Sequence, residues 1–214
     1  KTDQGSTSIY GQSVNFIQPE IYAKTGYRIN DKHNIVLFAN GYTHQQNSFF
    51  GTTKYTAKQH NIYANLQYEL TYNRIHTLKT GLSFRHLNIH EKIEFTDTTL
   101  YRSYNGDYKR KENIPGIFAE NSMSFLNNKI TWISGLRLDN HNQFGSTLTP
   151  RMLLKYDLSS KTVFRANIGT GWRTVNLFSE NIGLLVSSRD IIFAEKILPE
   201  RAINYGINMV HKYE

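Results

Sequence analysis

The residues best suited to chemistry in this sequence do not gather into a reaction centre. Gly169-Thr170-Gly171 opens like a phosphate-cradling dinucleotide loop, but the third glycine and the following helix pattern are missing. His86 and His90 share one face of a strand-like segment, with Asn88 between them. Four strand residues separate them by about 13 Å, too far to share one metal ion without other ligands. The carboxylates are scattered, and no two stand out as an acid and a base. Gly-x-Ser-x-Gly, Walker and His-Glu-x-x-His sequences do not occur. With no cysteine there is no thiolate metal site and no cysteine nucleophile. The expectation is a chain that is not an enzyme, with no catalytic residue, no cofactor and no resident metal.

What remains is a set of cationic and small residues spaced by two. Arg165, Asn167, Gly169, Gly171 and Arg173 share one parity, and Arg151 and Lys155 share one on the preceding segment. In a strand this period places each set on a single face. Glycine there lets another backbone come close. Guanidinium and carboxylate groups facing a common space form charge-assisted hydrogen bonds. The alternative is that these residues pair only with each other across neighbouring strands.

The elements that must hold them read as strands almost throughout. Ile62, Ala64, Leu66, Tyr68 and Leu70 alternate with Tyr63, Asn65, Gln67 and Glu69. The same period runs through Leu78–Arg85, Trp132–Asp139, Arg151–Asp157, Phe164–Gly169 and Ile203–Met209. Strands are expected at about 14–29, 33–46, 54–72, 75–95, 108–126, 129–142, 147–158, 161–171 and 200–212. Several exceed the usual soluble strand of about 5–6 residues. A tilted membrane strand needs about 9–11. Tight turns are expected at Asn30-Asp31-Lys32, Asn73-Arg74, Asn127-Asn128 and Ser159-Ser160, where short polar side chains accept turn backbone. Longer loops are expected at Gln46–Thr53, Thr96–Asp107 and Gly171–Pro199, with Asn142–Ser146 short for its side. Short turns at one end and long loops at the other mark an outer-membrane barrel. Tyr27, Tyr72 and Tyr156 lie near the tight turns, where a ring suits the headgroup level. Pro19 is placed early in a strand, Pro115 near a strand start, and Pro150 and Pro199 at strand or loop starts. Within the last loop, Ile182–Val186 and Ile191–Ala194 could form a further hairpin turning at Ser187-Ser188-Arg189-Asp190, which would raise the strand count to eleven.

Composition agrees. Aromatic residues make up 13% of the 214, with 14 Tyr and 12 Phe, so the chain is no disordered segment. Apolar runs such as Ile35–Ala39 fall far short of a membrane helix. The formal charge of +8 comes from scattered residues, the densest run being Lys109-Arg110-Lys111 before Glu112. That favours solvated loops and a charged interior over nucleic-acid binding. Lys1 opens the chain without Met or leader, and Glu214 follows a strand-like segment directly, so a piece of something larger is expected.

From Gly135 to Tyr205 the sequence resembles TonB-dependent receptors. The fragments are Gly135-Leu136-Arg137-Leu138-Asp139, Thr149-Pro150-Arg151, Leu154-Lys155-Tyr156 and Phe164-Arg165-Ala166. They continue with Gly169-Thr170-Gly171-Trp172-Arg173, Asn176, Glu180, Leu198-Pro199-Glu200 and Ala202–Gly206. This covers about a third of the chain, and the rest matches in barrel texture. The resemblance implies an all-β, antiparallel up-and-down transmembrane β-barrel, here a partial barrel of about nine to eleven strands over 1–214 without a plug domain. It implies the bacterial outer membrane, the lipid bilayer, a plug and the TonB system as partners, and no nucleic acid. It implies a small nutrient ligand of the siderophore-iron, haem, cobalamin or glycan class, with no ligand-binding residue assigned. Arg151, Arg165, Gly169, Gly171, Arg173, Asn176, Glu180 and Glu200 would then face the lumen and plug. The alternatives are a passive outer-membrane pore and a soluble β-sandwich binding module.

Overall fold

Residues 4–97, 99, 102–187 and 189–213 are described in the computed structural model. Alternating residues of high β-propensity give one antiparallel sheet of ten strands. They are β1 (Gln12–Ile17), β2 (Glu20–Asn30), β3 (His33–Phe50), β4 (Thr53–Asn73), β5 (His76–Phe95) and β6 (Gly106–Phe125), followed by β7 (Ile130–His141), β8 (Gly145–Asp157), β9 (Thr162–Arg173) and β10 (Glu200–His211). From β3 onward each strand pairs with its sequence neighbours, so the sheet runs up and down. Two short helices, α1 (Leu177–Glu180) and α2 (Ile182–Val186), lie between β9 and β10.

The first expected strand, 14–29, is two. β1 and β2 lie end to end along the same edge of β3, β1 against Gln45–Phe50 and β2 against His33–Tyr42. Pro19, which cannot donate to a ladder, falls in the gap.

The register fixes the faces. Leu37, Leu66, Leu82, Ile117, Leu138 and Leu148 stand directly opposite one another across β3 to β8. This row and its neighbours form a continuous apolar outer face. Leu66, Trp132, Leu154 and Ile168 are 46%, 41%, 46% and 53% exposed, the reverse of a packed greasy centre. A single sheet with its apolar side turned outward is a membrane barrel wall, and the sandwich alternative fails on this point. Tyr27, Tyr72 and Tyr156 lie exposed near the tight-turn end, as a headgroup belt requires.

β3 to β6 run 18–21 residues, about twice what a tilted strand needs to cross the hydrocarbon, so their upper halves stand clear of it. The upper outer positions are polar. The upper inner positions are buried: Phe50, Tyr55, Ala57 and Ile93 pack with Tyr104, Phe178 and Leu185. This core sits under the β9–β10 loop, on the inner face opposite the apolar band.

Four expectations need correction. Gln46–Thr53 is no long loop, because β3 and β4 continue to a tight turn at Gly51-Thr52, with Gly51 in left-handed backbone at φ 57. Among the described residues the 182–194 hairpin does not form, and the tenth strand comes instead from the division of the first expected strand into β1 and β2. Phe178 of α1 and Ile182 and Leu185 of α2 instead present one apolar patch to the core. Ser188 of its proposed turn, and Thr98, Leu100 and Tyr101 of the preceding long loop, lie outside the described residues. That loop is also not simply solvated, since Tyr104 is fully buried. Finally, Pro115 and Pro150 lie inside β6 and β8 rather than at their starts. Each stands one residue before the ladder to the next strand begins, at Gly116 and Arg151, where no ladder bond is lost.

Candidate functional site on the inner face

The run Lys109-Arg110-Lys111-Glu112 is divided by strand parity. Arg110 and Glu112 face inward, opposite Ile89 and Leu87 of β5, and the two lysines face outward. Arg110 fastens the start of the long loop. Its Nη1 donates to the Val175 carbonyl at 2.6 Å, and its Nη2 donates to the Asn176 side-chain carbonyl. Glu112, with a side chain only 2% exposed, accepts from Thr174 Oγ1 at 3.1 Å. Its other oxygen lies 3.0 Å from Arg110 Nε. The two atoms attract as charges but are off the hydrogen-bonding line, and both are buried without a hydrogen bond among the described residues. His141 Nε2 points at the same carboxylate from 3.6 Å. Because His141 Nδ1 accepts the Gln143 N–H at 3.0 Å, the neutral ring carries its proton on Nε2, facing Glu112. Trp172 meets the His141 ring edge-on at 5.8 Å, and the Arg85 guanidinium lies 5.9 Å from the Trp172 ring.

The residues singled out from sequence fall at three levels. At the top of β9, Arg173 meets Glu180 at 2.9 Å and Glu200 at 2.7 Å. Glu180 also accepts the Asn176 N–H at 3.1 Å, so Arg173, Asn176, Glu180 and Glu200 form one network joining loop and β10. Lower down, Arg151 pairs with Glu120 of β6. Its side chain crosses Gly135 and Gly169, where an added Cβ would stand 3.1 Å from Arg151 Nε and 3.3 Å from Arg151 Cβ. The guanidinium thus lies over Gly135, while Gly169 meets only the base of the Arg151 side chain across the strand pair. Gly171 faces open space, with nothing within 4 Å of a Cβ. Lowest, Arg165 stands opposite Lys155 and Asn208, while Lys155 Nζ reaches Asp157 at 2.8 Å.

Sequence reasoning missed Arg110, Glu112 and His141. It also missed a second inner cluster, in which Arg137 Nη2 donates to Ser83 Oγ at 2.6 Å and contacts Asp139 at 2.7 Å. Gly116 makes room for this cluster, since its Cβ would fall 2.3 Å from Asp139 Oδ1. The available signal was the alternation itself, which puts Arg110 and Glu112 on the face of Gly116 and Glu120.

Above the Arg110–Glu112 pair, the loop walls one side of a half-open cavity of about 240 Å³. Its lining includes Tyr108, Arg110, Phe144, Phe178, Phe193 and Lys196. Aromatic faces beside cationic groups suit a small anion or a planar ring. The loop is tied down further along, where Asp190 accepts from the Ser103 N–H at 2.8 Å and from Ser103 Oγ at 3.0 Å. Those donors hold the Asp190 carboxyl below its ordinary range. Burying Phe178 and Leu185 adds roughly 1.5–3 kcal/mol each. Among the described residues, no three His, Asp or Glu side chains gather as a metal cluster.

Known proteins place this arrangement. The family described as TonB dependent receptor-like, beta-barrel, matches residues 2–211. No curated protein matches. Among solved structures, BauA, the ferric preacinetobactin receptor from Acinetobacter baumannii, aligns with a TM-score of 0.60 at 11% identity, over 92% of this chain and 35% of that one. The ferric citrate transporter FecA in its unliganded form aligns at 0.57 and 14%, over 92% and 32%. The siderophore receptor PirA from Pseudomonas aeruginosa aligns at 0.56 and 14%, over 93% and 43%. At such identities the likeness is one of fold, and the chain spans about a third to two fifths of these structures. An outward apolar band, a polar inner face and a family match over nearly the whole length agree: the chain belongs to the TonB-dependent receptor β-barrel family, whose members are outer-membrane receptors and not enzymes.

Proposed function

We propose that this chain is barrel wall of a receptor that imports a scarce nutrient across the outer membrane with energy delivered through TonB. The observation that carries the reading is the inner face, where arginine–carboxylate clusters are fixed beneath a loop-capped mouth and behind an apolar outer band. In this reading, residues 1–214 are all barrel, and the plug is a separate domain. Arg151, Arg165, Gly169, Gly171, Arg173, Asn176, Glu180 and Glu200 line the wall that the plug meets. Gly171, open on its inner side, is the point of closest backbone approach.

The ligand belongs to the siderophore-iron, haem, cobalamin or glycan class. The cavity under the loop supports the anionic chelates among these, because Arg110 and Lys196 flank aromatic rings there. The solved receptors of similar fold, whose ligands are ferric chelates, support the same end of the range. Growth of a deletion strain on limiting iron, with ferric citrate, a catecholate siderophore or haemin as sole source, tests the proposal. One source is expected to fail, to be restored by the wild-type gene, and to fail again when TonB is removed. Restored growth that does not depend on TonB would establish a pore instead.

A further inference from the structure

The outward faces of the tall strands carry a feature that nutrient import does not use. Across β4, β5 and β6 the register sets outward residues in rows that run across the strands. Leu66, Leu82 and Ile117 form one row, and Ala64, Phe84 and Pro115 the next above it. Then come Ile62, His86 and Asn113, followed by His60, Asn88 and Lys111, then by Lys58, His90 and Lys109. The apolar band thus changes to a basic surface within two rows. Residues two apart on a strand tilted by about 45° differ in height by about 5 Å. Along β4, His60 and Lys58 therefore lie about 5 and 9 Å above Ile62, at the depth of lipid headgroups.

Like charges directly opposite each other are unfavourable in a sheet. The Lys58–His90–Lys109 row is only partly relieved, by Asp107, which lies 2.7 Å from His90 and 3.6 Å from Lys109. One row higher Lys92 is held by Glu94 at 2.5 Å, and Glu94 also meets Lys54 at 3.3 Å. Among the described residues neither Lys58 nor Lys111 has a carboxylate partner. Beside them the outer face is concave. An open groove of about 730 Å³ runs between β1 and β5, its outward-facing lining including Asn15, Ile17, Thr56, Lys58, His90 and Lys92. Ile17 lies on one side of it and the cationic groups lie on the other. At the tight-turn end the outward face is instead aromatic, with Tyr27, Tyr72 and Tyr156.

We propose that the outward face of β4–β6, with the adjoining groove, is a binding site for a phosphorylated lipid of the outer leaflet. Its headgroup phosphates sit among Lys58, His90, Lys109 and Lys111, and an acyl chain runs down the apolar band below. Charge complementarity and headgroup depth select a membrane lipid over a soluble anion. The site rests on outer-membrane placement and not on the identity of the imported ligand.

The test uses the full-length protein extracted from outer membranes, stripped of lipid in detergent and titrated with bisphosphorylated lipid A under native mass spectrometry. Heat-modifiable migration confirms that each variant is folded. K58Q/K109Q/K111Q is expected to weaken lipid A binding at least about tenfold, because each basic residue near an anionic lipid surface contributes appreciably. A control that removes three charges at the other end, K32Q/K129Q/K212Q, is expected to bind as the wild type does. Equal binding by both triple variants would overturn the proposal. So would equal binding of dephosphorylated lipid A, or displacement of the lipid by millimolar inorganic phosphate. Because the readout is lipid retention, its failure leaves the import reading untouched, and failure of import leaves this site untouched.

Discussion

At the residue scale, the buried Glu112 side chain has the largest consequences. It faces Arg110, His141 and Thr174 within one shielded pocket, and Arg110 in turn holds the loop through Val175 and Asn176. Removing one partner of a buried pair costs more than the pair itself contributes, because the remaining charge is left uncompensated. Glu112→Ala is therefore expected to destabilise the folded barrel by about 3 kcal/mol, near the low end for such losses, since Arg110 keeps a quarter of its side chain exposed. A urea midpoint in lipid vesicles measures it, and a shift worth less than about 1 kcal/mol would contradict the buried network. Arg173→Ala provides the contrast. Its side chain is 57% exposed, so the contacts with Glu180 and Glu200 are screened and the loss in stability should stay below about 1 kcal/mol.

At the element scale, each long strand alternates between two solvents. β4 presents Leu66 outward, between Leu37 and Leu82, and Gln67 inward, between Val36 and Gly81. Leu66→Arg should cost about 2–4 kcal/mol, as a charge placed near the bilayer midplane does. Gln67→Arg, one residue away, should be close to neutral because it enters an already polar face. If the two variants refold into vesicles equally well, the assignment of faces is wrong. Much of this scale was legible in the sequence, because a period of two states directly which residues share a face. The β9–β10 loop was not. Its Ile182–Val186 run is as apolar as a strand, and only the core formed by Phe50, Tyr55, Ile93 and Tyr104 makes a helical turn the better way to bury Phe178 and Leu185.

At the scale of the whole molecule, the sheet is open. Among the described residues, β10 pairs only with β9, and β1 and β2 pair only with β3, so two edges present unsatisfied backbone groups. In hydrocarbon such edges are not tolerated, because no water is available to pair them. The 214-residue chain produced alone is therefore expected to aggregate or to self-associate through its edges. Gel filtration in detergent checks this, and a stable, heat-modifiable monomer would show that the edges close on each other.

The sequence by itself determined which side chains face lipid, where the tight turns at the lower end fall and which family the chain resembles. These follow from local rules: the two-residue period, turn residues, and motifs in a fixed order. It also named Arg173, Asn176, Glu180 and Glu200, which do meet. Only the tertiary structure decided that Arg110 of β6 grips the loop after β9, that His141 and Glu112 share one pocket, and that Arg151 crosses Gly135 to Glu120. Those contacts depend on register and stagger between strands far apart in the chain. A periodic pattern fixes the face a residue occupies but leaves open how high on the wall its partner stands.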